Sequence, residues 1–198
     1  MKQFFQYNWW KYLAVILIPI LLWTGIFDSL KKPTPQQRVS ILCIGSGFDT
    51  ATMEQQLSAA LPSLTNQPLK AITVSAELPD KASLGALLTA RVFQYDIVII
   101  QQDYLFENIG QHYFSQLTPD FTAQFPGIPL YRESEQYAYA LQISADSQSR
   151  FADYYSGNQD CYLFISPESV NFDRLNGNGK IGNNAALKAV FYLLETPL

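Results

Sequence analysis

The chain has 198 residues, of which 48% are apolar and 15% are charged, so it can build a core of ordinary size and lacks the composition of a disordered chain. From Pro33 onward, nine Lys and Arg residues stand against sixteen Asp and Glu residues, which gives a formal net charge of −7. This acidic balance argues against nucleic acid or an anionic lipid surface as the partner of that part of the chain.

The first element in chain order is an apolar run, YLAVILIPILLWTGIF, which covers residues 12–27 and lies between NWWK and DSLKK. With Trp9 and Trp10 included, the segment is long enough to cross a hydrocarbon core of about 30 Å. Tryptophan and tyrosine at its ends suit the two membrane–water boundaries. The exit of the run lacks the small residues that a signal peptidase requires. The sequence therefore predicts a retained single-pass transmembrane helix over residues 9–30, which attaches the protein to the cell membrane.

Positive charges do not decide the orientation of this helix. Lys2, Lys11 and the amino terminus on one side balance Lys31, Lys32 and Arg38 on the other. Because residues 1–8 are too short to form a domain, we expect them to be a cytoplasmic leader and the folded mass to be extracytoplasmic. A cytoplasmic domain is the alternative. Residues 31–37 (KKPTPQQ) predict a stiff tether, and residues 38–198 a single α/β domain.

The rest of the chain alternates between strand and helix patterns. Continuous β-branched and apolar runs predict buried strands, and helical apolar spacing predicts helices. The predicted strands are RVSILCIG (38–45), KAITVSAE (70–77), DIVIIQQ (96–102), YAYALQIS (137–144) and CYLFIS (161–166). The predicted helices cover residues 51–61, 82–93, 106–117 and 183–195. This order predicts an α/β fold with a mostly parallel sheet and helices on both faces.

Polar side chains follow each of the first three predicted strands. In an open parallel sheet, ligands bind beyond the carboxyl ends of the strands. The candidate ligand-binding residues at this edge are Ser46, Asp49, Glu77, Gln101, Asp103 and Tyr104. Together they offer amides, carboxylates and a ring to a polar ligand. Ordinary polar loops without a ligand are the alternative interpretation.

Sequence motifs for cofactors and catalysis are weak. The loop GSGFDT (45–50) has only two glycines of a dinucleotide pattern and is typical of a tight strand-to-helix turn in which glycine permits positive φ. The single histidine, His112, falls inside a predicted helix, and no G-x-S-x-G elbow is present. Residues 174–185 resemble a calcium loop that lacks its two decisive carboxylates. We expect no metal, no cofactor and no enzymatic activity.

Two residue types leave alternatives open. Cys43 and Cys161 both fall in predicted strands, where they form a disulfide if those strands are neighbours and are otherwise small buried hydrophobic residues. Nine of the twelve tyrosines lie between Tyr95 and Tyr162, and YAYA at 137–140 alternates as the two faces of a strand do. This tyrosine pattern is typical either of a sugar or protein interface or of the wet rim of a sheet.

The stretch YDIVIIQQDYLFENIGQHYFSQLTPDF, followed by YAYALQI, resembles the first lobe of bacterial extracellular solute-binding proteins of ABC transporters. The leader FFQYNWWKYLAVILIPILLW resembles the anchor of small membrane-tethered proteins of Firmicutes-type bacteria. The resemblance covers most of residues 38–195 by order of elements and implies one lobe of periplasmic-binding-protein type. Only SQSRFADYY stands where a second lobe would be inserted, so this lobe would present a shelf and not a cleft.

These observations together predict a membrane-anchored extracytoplasmic recognition domain. Its expected partner is a small polar solute or a surface protein, and it would act as an accessory of a transport system. A structural or protein-interaction subunit of a membrane complex, without a small-molecule ligand, is the alternative. A surface hydrolase with clustered carboxylates is a third class.

Overall fold

The computed structural model describes residues 11, 13–23, 33–34, 37–64, 69–143, 149–169, 171–172 and 184–195. The chain divides into two compact units, Met1–Thr34 and Pro35–Leu198. In the first unit, residues 13–23 are helical and nearly all of their side chains are exposed. Residues 9, 10, 12 and 24–30 of the predicted transmembrane segment lie outside the described residues. Within the described ranges, no helix is both long enough and apolar enough to cross a membrane.

Six strands of the second unit form one sheet. The strands are β1 (Arg38–Ile44), β2 (Ala71–Glu77), β3 (Ile97–Gln101), β4 (Leu130–Arg132), β5 (Ala138–Ile143) and β6 (Cys161–Ile165). Their order across the sheet is β2-β1-β3-β6-β5-β4. All five predicted strands are present within one residue of their expected bounds in the described chain, whereas β4 is not among the predicted strands.

Five α-helices accompany the sheet in the described part of this unit. They are α1 (Thr50–Leu64), α2 (Leu84–Arg91), α3 (Ile109–Tyr113), α4 (Pro119–Thr122) and α5 (Ala185–Leu194). Short 3-10 turns cover Val92–Gln94, Gln102–Tyr104 and Arg150–Tyr154. The first two of these turns lie at the opposite ends of β3.

The α/β class is confirmed, but the sheet is mixed rather than mostly parallel. The β1–β2 and β1–β3 ladders are parallel, whereas the β3–β6, β5–β6 and β4–β5 ladders are antiparallel. The reason lies in the connections. Strand β4 lies at the far edge of the sheet, and β5 and β6 each turn back beside the strand before them, so that β6 ends next to β3. Such hairpin-like returns need no crossover helix and give antiparallel pairs.

Helices cover both faces of the sheet, so each central strand is buried on two sides. The first core lies between the sheet and α1 and α5, and it contains Val39, Ile41, Met53, Leu57, Ile99, Leu163 and Val190. The second core lies against α2 and α3, and it contains Leu42, Ile44, Leu84, Leu88, Val98, Ile109 and Phe164. Neighbouring residues of β1 and β3 point into opposite cores, which explains their unbroken apolar runs.

Two local predictions differ from the structure. The helix expected over 106–117 is reduced to α3, because Asn108 is left-handed (φ 58°) and the chain becomes extended at Phe114. Beyond it, the Ser115 N–H donates to the Ile165 carbonyl at 3.0 Å, which ties this segment to the end of β6. In β5, Tyr131 pairs with Ala140 and Arg132 with Ala138, so a bulge at residue 139 breaks the expected alternation of YAYA.

Candidate functional site

The carboxyl ends of β1, β2 and β3 meet at one edge of the sheet, which we call the carboxyl edge. Strand β6 runs in the opposite direction, and its first residue, Cys161, pairs with Gln101, the last residue of β3. The segment before β6 therefore reaches the same edge. We call residues 155–160 (YSGNQD) the strap.

The turn after β1 has the conformation that the sequence predicts. Gly45 has φ +132° and Gly47 has φ +85°, both of which favour glycine. The Gly45 N–H donates to the Glu77 carbonyl at 3.0 Å. The Ser46 N–H donates to Oε1 of Gln101 at 3.1 Å. The turn is thus fixed to the ends of both neighbouring strands, while the Ser46 side chain is exposed.

Gln101 lies beneath the carboxyl edge and not on its surface. Only 7% of the residue is exposed. Its Oε1 accepts from the Ser46 N–H, and its Nε2 donates to the Tyr155 hydroxyl at 2.9 Å. Both ends of the amide are engaged inside the protein, so Gln101 supports the edge instead of presenting a group to a ligand.

Tyr155 joins the strap to this buried amide. Its hydroxyl accepts from the Gln101 side-chain amide at 2.9 Å and lies beside the Cys161 thiol. Burial raises the pKa of Tyr155 to about 12 and the pKa of Cys161 to about 12. Both groups are therefore protonated at neutral pH.

The remaining strap residues bond to the turns after β1 and β3. The Ser156 N–H and its hydroxyl both donate to the Gly47 carbonyl, at 2.9 and 3.1 Å. The Gln159 side-chain amide donates to the Asp103 carboxylate. The Gln102 N–H donates to the Asp160 carbonyl at 2.9 Å. Three segments of the chain thus form one hydrogen-bonded surface at the carboxyl edge.

Asp49, Glu77 and Tyr104 have other roles in the structure. Glu77 pairs with the Arg91 guanidinium. Tyr104 is half-buried and packs against the second core. Asp49 is the N-cap of α1, with its carboxylate accepting from the Thr52 N–H at 3.0 Å and from the Thr52 hydroxyl at 2.7 Å. Of the six predicted residues, Gln101 and Asp103 bond to the strap, and Ser46 bonds to Gln101.

The N-cap at Asp49 explains why the GSGFDT loop leads directly into α1, and it should contribute to the stability of the domain. The hydrogen bond from the Thr52 hydroxyl, followed by that from its N–H, lowers the pKa of Asp49. Asp49→Ala should lower the midpoint of thermal unfolding by a few degrees, whereas Asp49→Asn keeps a good cap and should change it little. Because its pKa is lowered in the fold, the contribution of Asp49 is present above about pH 4 and is lost as the pH falls. Calorimetry at pH 7 and pH 3 measures both effects, and an equal loss in Ala and Asn variants would contradict the capping role.

Sequence reasoning did not find the strap. Its residues are separated from Gln101 by more than fifty positions, and they lie in a stretch that predicted only a short helical replacement for a second lobe. The one available signal was the polar run SGNQD immediately before a buried strand, which is typical of a loop at a sheet edge.

The cysteines lie in strands that are not neighbours. Strand β3 separates β1, which carries Cys43, from β6, which carries Cys161. Two strand spacings amount to roughly 9.5 Å, which exceeds the reach of a disulfide. Both thiols are free and buried. The interpretation as small buried hydrophobic residues therefore fits the structure.

A second polar network lies at the opposite edge of the sheet. Asp96 is 7% exposed, and its carboxylate accepts from the Ser40 N–H at 2.9 Å, from the Asn171 side-chain amide at 2.9 Å and from the Ser169 hydroxyl. Its backbone C=O accepts from the Ser166 N–H at 3.1 Å. Burial raises the pKa of Asp96, against the opposing effect of these hydrogen bonds. This carboxylate joins β1, β3 and the segment after β6.

In the described ranges of the chain, no three His, Cys, Asp or Glu side chains are placed to hold a metal ion. Most of the weak calcium-loop pattern, residues 174–185, lies outside those ranges. Comparison with protein-family models, with curated proteins and with solved structures finds no match to the chain.

Proposed function

We propose that the chain is a membrane-anchored, extracytoplasmic recognition domain whose carboxyl edge docks on a protein partner in or at the membrane. The supporting observation is the surface built by the strap and the turns after β1 and β3. Loops that a rigid sheet holds in place are the usual carriers of recognition. Ser46, Gln102, Asp103, Ser156 and Asn158 are exposed on these three segments.

The hydrogen bonding of this edge favours a protein partner over a small solute. The Gln101 amide, the Gly47 carbonyl and the Asp103 carboxylate already have partners within the chain. A small polar solute would have to displace these bonds, whereas a protein surface can contact the exposed outer side without displacing them. A solute is the second candidate, because the β1–β3 boundary is where open α/β sheets bind ligands.

The anchor is part of the same proposal. Large apolar side chains of the helix over residues 13–23 are 42–70% exposed, including Leu13, Val15, Ile18, Leu21 and Trp23. A helix that is apolar on all sides suits a hydrocarbon environment. The resemblance to a solute-binding lobe supports an accessory role beside an ABC-type transport system, at the level of fold analogy only.

A pair of matched glutamines tests the proposed surface. Gln102 and Gln94 are both exposed, and both lie in 3-10 turns at the two ends of β3. A photo-crosslinking amino acid at Gln102, in membranes of cells that naturally contain the protein, should give a discrete adduct. The same substitution at Gln94 is the control and should not.

Equal cross-linking at the two positions, or none at Gln102, would contradict docking through the carboxyl edge. If Gln102 gives no adduct, full-length protein in detergent should be heated with sugars, amino acids and short peptides. A shift of several degrees at a ligand concentration a hundred times Kd would then favour the small-solute candidate.

A further inference from the structure

Beyond Tyr155, the strap is held to the protein by hydrogen bonds and not by apolar packing. Residues 156–160 are Ser, Gly, Asn, Gln and Asp, and each is exposed or half-exposed. Segments with few buried apolar contacts open at a lower free energy than the core around them. The strap is therefore a part of the carboxyl edge that can open while the sheet stays folded.

Tyr155 fastens the strap at one point. Its ring packs against Phe48 and Phe151, with centroids 4.9 and 5.6 Å apart. Its hydroxyl accepts from Gln101 on β3 and lies beside the Cys161 thiol. A Cβ at Gly157 would lie 2.2 Å from this oxygen, so the strap passes directly over it.

We propose that the strap is a conformational gate at the carboxyl edge and that the Tyr155 hydroxyl is the latch that keeps it closed. When closed, the strap completes the surface described above. When open, it uncovers the Gly47 carbonyl and the Gln101 amide at the β1–β3 boundary. The connection after β1 leaves toward the first core and the connection after β3 toward the second, which makes this boundary the switch point of the sheet. Only the consequence for the partner rests on the proposed function.

The rates at which a thiol reagent labels the two cysteines report the opening of the strap. Cys161 lies beside the Tyr155 hydroxyl, whereas Cys43 lies within the central strand β1, and both are fully buried. A thiol reagent should reach Cys161 when the strap opens and Cys43 only when the sheet opens. Full-length protein in detergent is therefore labelled under native conditions, and peptide mass spectrometry gives the two rates separately.

We expect Cys161 to react faster than Cys43 in the wild-type protein. Tyr155→Phe removes the latch while keeping the ring, and loss of one buried hydrogen bond should raise the Cys161 rate about tenfold. The Cys43 rate should rise much less. Equal rates for the two thiols in both proteins would overturn the proposal, because opening would then be global.

The neighbouring tyrosine supplies a matched control. The Tyr154 hydroxyl donates to Gln56 on α1 at 2.6 Å, outside the strap. Tyr154→Phe should leave the ratio of the two labelling rates unchanged, and a change as large as that of Tyr155→Phe would overturn the latch. If Tyr155→Phe does not fold, Gly157→Ala replaces it, because the added methyl group forces the strap from the hydroxyl. An unchanged ratio in Gly157→Ala would also overturn the gate.

The labelling rates involve no partner, so they separate the gate from the proposed function. Rapid Cys161 labelling without any Gln102 adduct supports the gate and overturns partner docking. A Gln102 adduct that is kept in full by Tyr155→Phe, despite rapid Cys161 labelling, overturns the control of docking by the strap.

Discussion

Asp96→Ala is expected to lower the free energy of unfolding by about 3 kcal/mol. The substitution leaves the buried Ser40 N–H without an acceptor and removes one acceptor from Asn171 and one from Ser169. Each buried polar group that loses its partner costs about 1–3 kcal/mol. Because the carboxylate links β1, β3 and the segment after β6, the substitution should destabilise the whole sheet and not only one loop.

Chemical denaturation of wild type and variant measures this loss. Asp80→Ala is the control, since Asp80 lies in the exposed loop between β2 and α2 and should change the free energy of unfolding by about 0.5 kcal/mol or less. A loss at Asp96 no larger than that at Asp80 would refute the bracing role of this network.

The same pair of proteins gives the pH dependence. Because burial raises the pKa of Asp96, the folded state holds this proton more tightly than the unfolded state. The linked contribution to stability is therefore complete below the unfolded pKa of about 3.9 and is lost as the pH rises through the raised value. The difference between wild type and Asp96→Ala should be larger at pH 4 than at pH 8. A difference that grows with pH would mean that hydrogen bonding outweighs burial.

Gly45→Ala is expected to cost about 3 kcal/mol and to disturb the carboxyl edge at the same time. The backbone at φ +132° strains any residue with a Cβ, by about 1–3 kcal/mol. The new methyl group would also lie 2.4 Å from Oε1 of Gln101 and 2.8 Å from its Cβ. Gln101 must move, which breaks its bonds to Ser46 and Tyr155.

Gly127→Ala separates the effect of backbone strain from that of the clash with Gln101. Gly127 also has positive φ (+85°), but no atom lies within 4 Å of the point that a Cβ would occupy, so the substitution adds strain of about 1 kcal/mol without a clash. Denaturation should place Gly45→Ala well below Gly127→Ala in stability, and thiol labelling should find Cys161 more reactive only in Gly45→Ala. Equal stability of the two variants would mean that Gln101 moves away from the new methyl group without a cost in free energy.

Local patterns in the sequence predict most elements of this fold. RVSILCIG and DIVIIQQ contain the unbroken apolar runs ILCI and IVII because β1 and β3 are buried on both faces, and Asp49 caps α1 within its own turn. The failures come from non-local pairing. Nothing near CYLFIS indicates that β6 inserts between β3 and β5, and β4 has only three residues in which to show a pattern.

The candidate site was less predictable than the fold for the same reason. The sheet-edge rule groups the polar residues that follow β1, β2 and β3, but it cannot say which of them the chain itself uses as internal hydrogen-bond partners. In the sequence, Gln101 resembles a ligand-binding amide. In the structure, its amide donates to Tyr155, which lies fifty-four residues later in the chain. Burial of both amide ends is decided by the strap, whose polar sequence carries no periodicity to reveal where it lies.

The position of β6 also constrains how the domain is made. Strands β1, β2 and β3 are complete by residue 101, yet the partner of β3 on its other side is supplied by residues 161–165. During synthesis, the edge of β3 stays unpaired until about sixty further residues have been made, and an unpaired apolar edge favours association with other chains. A chain that ends before Cys161 is therefore expected to associate with other chains more readily than the complete sheet.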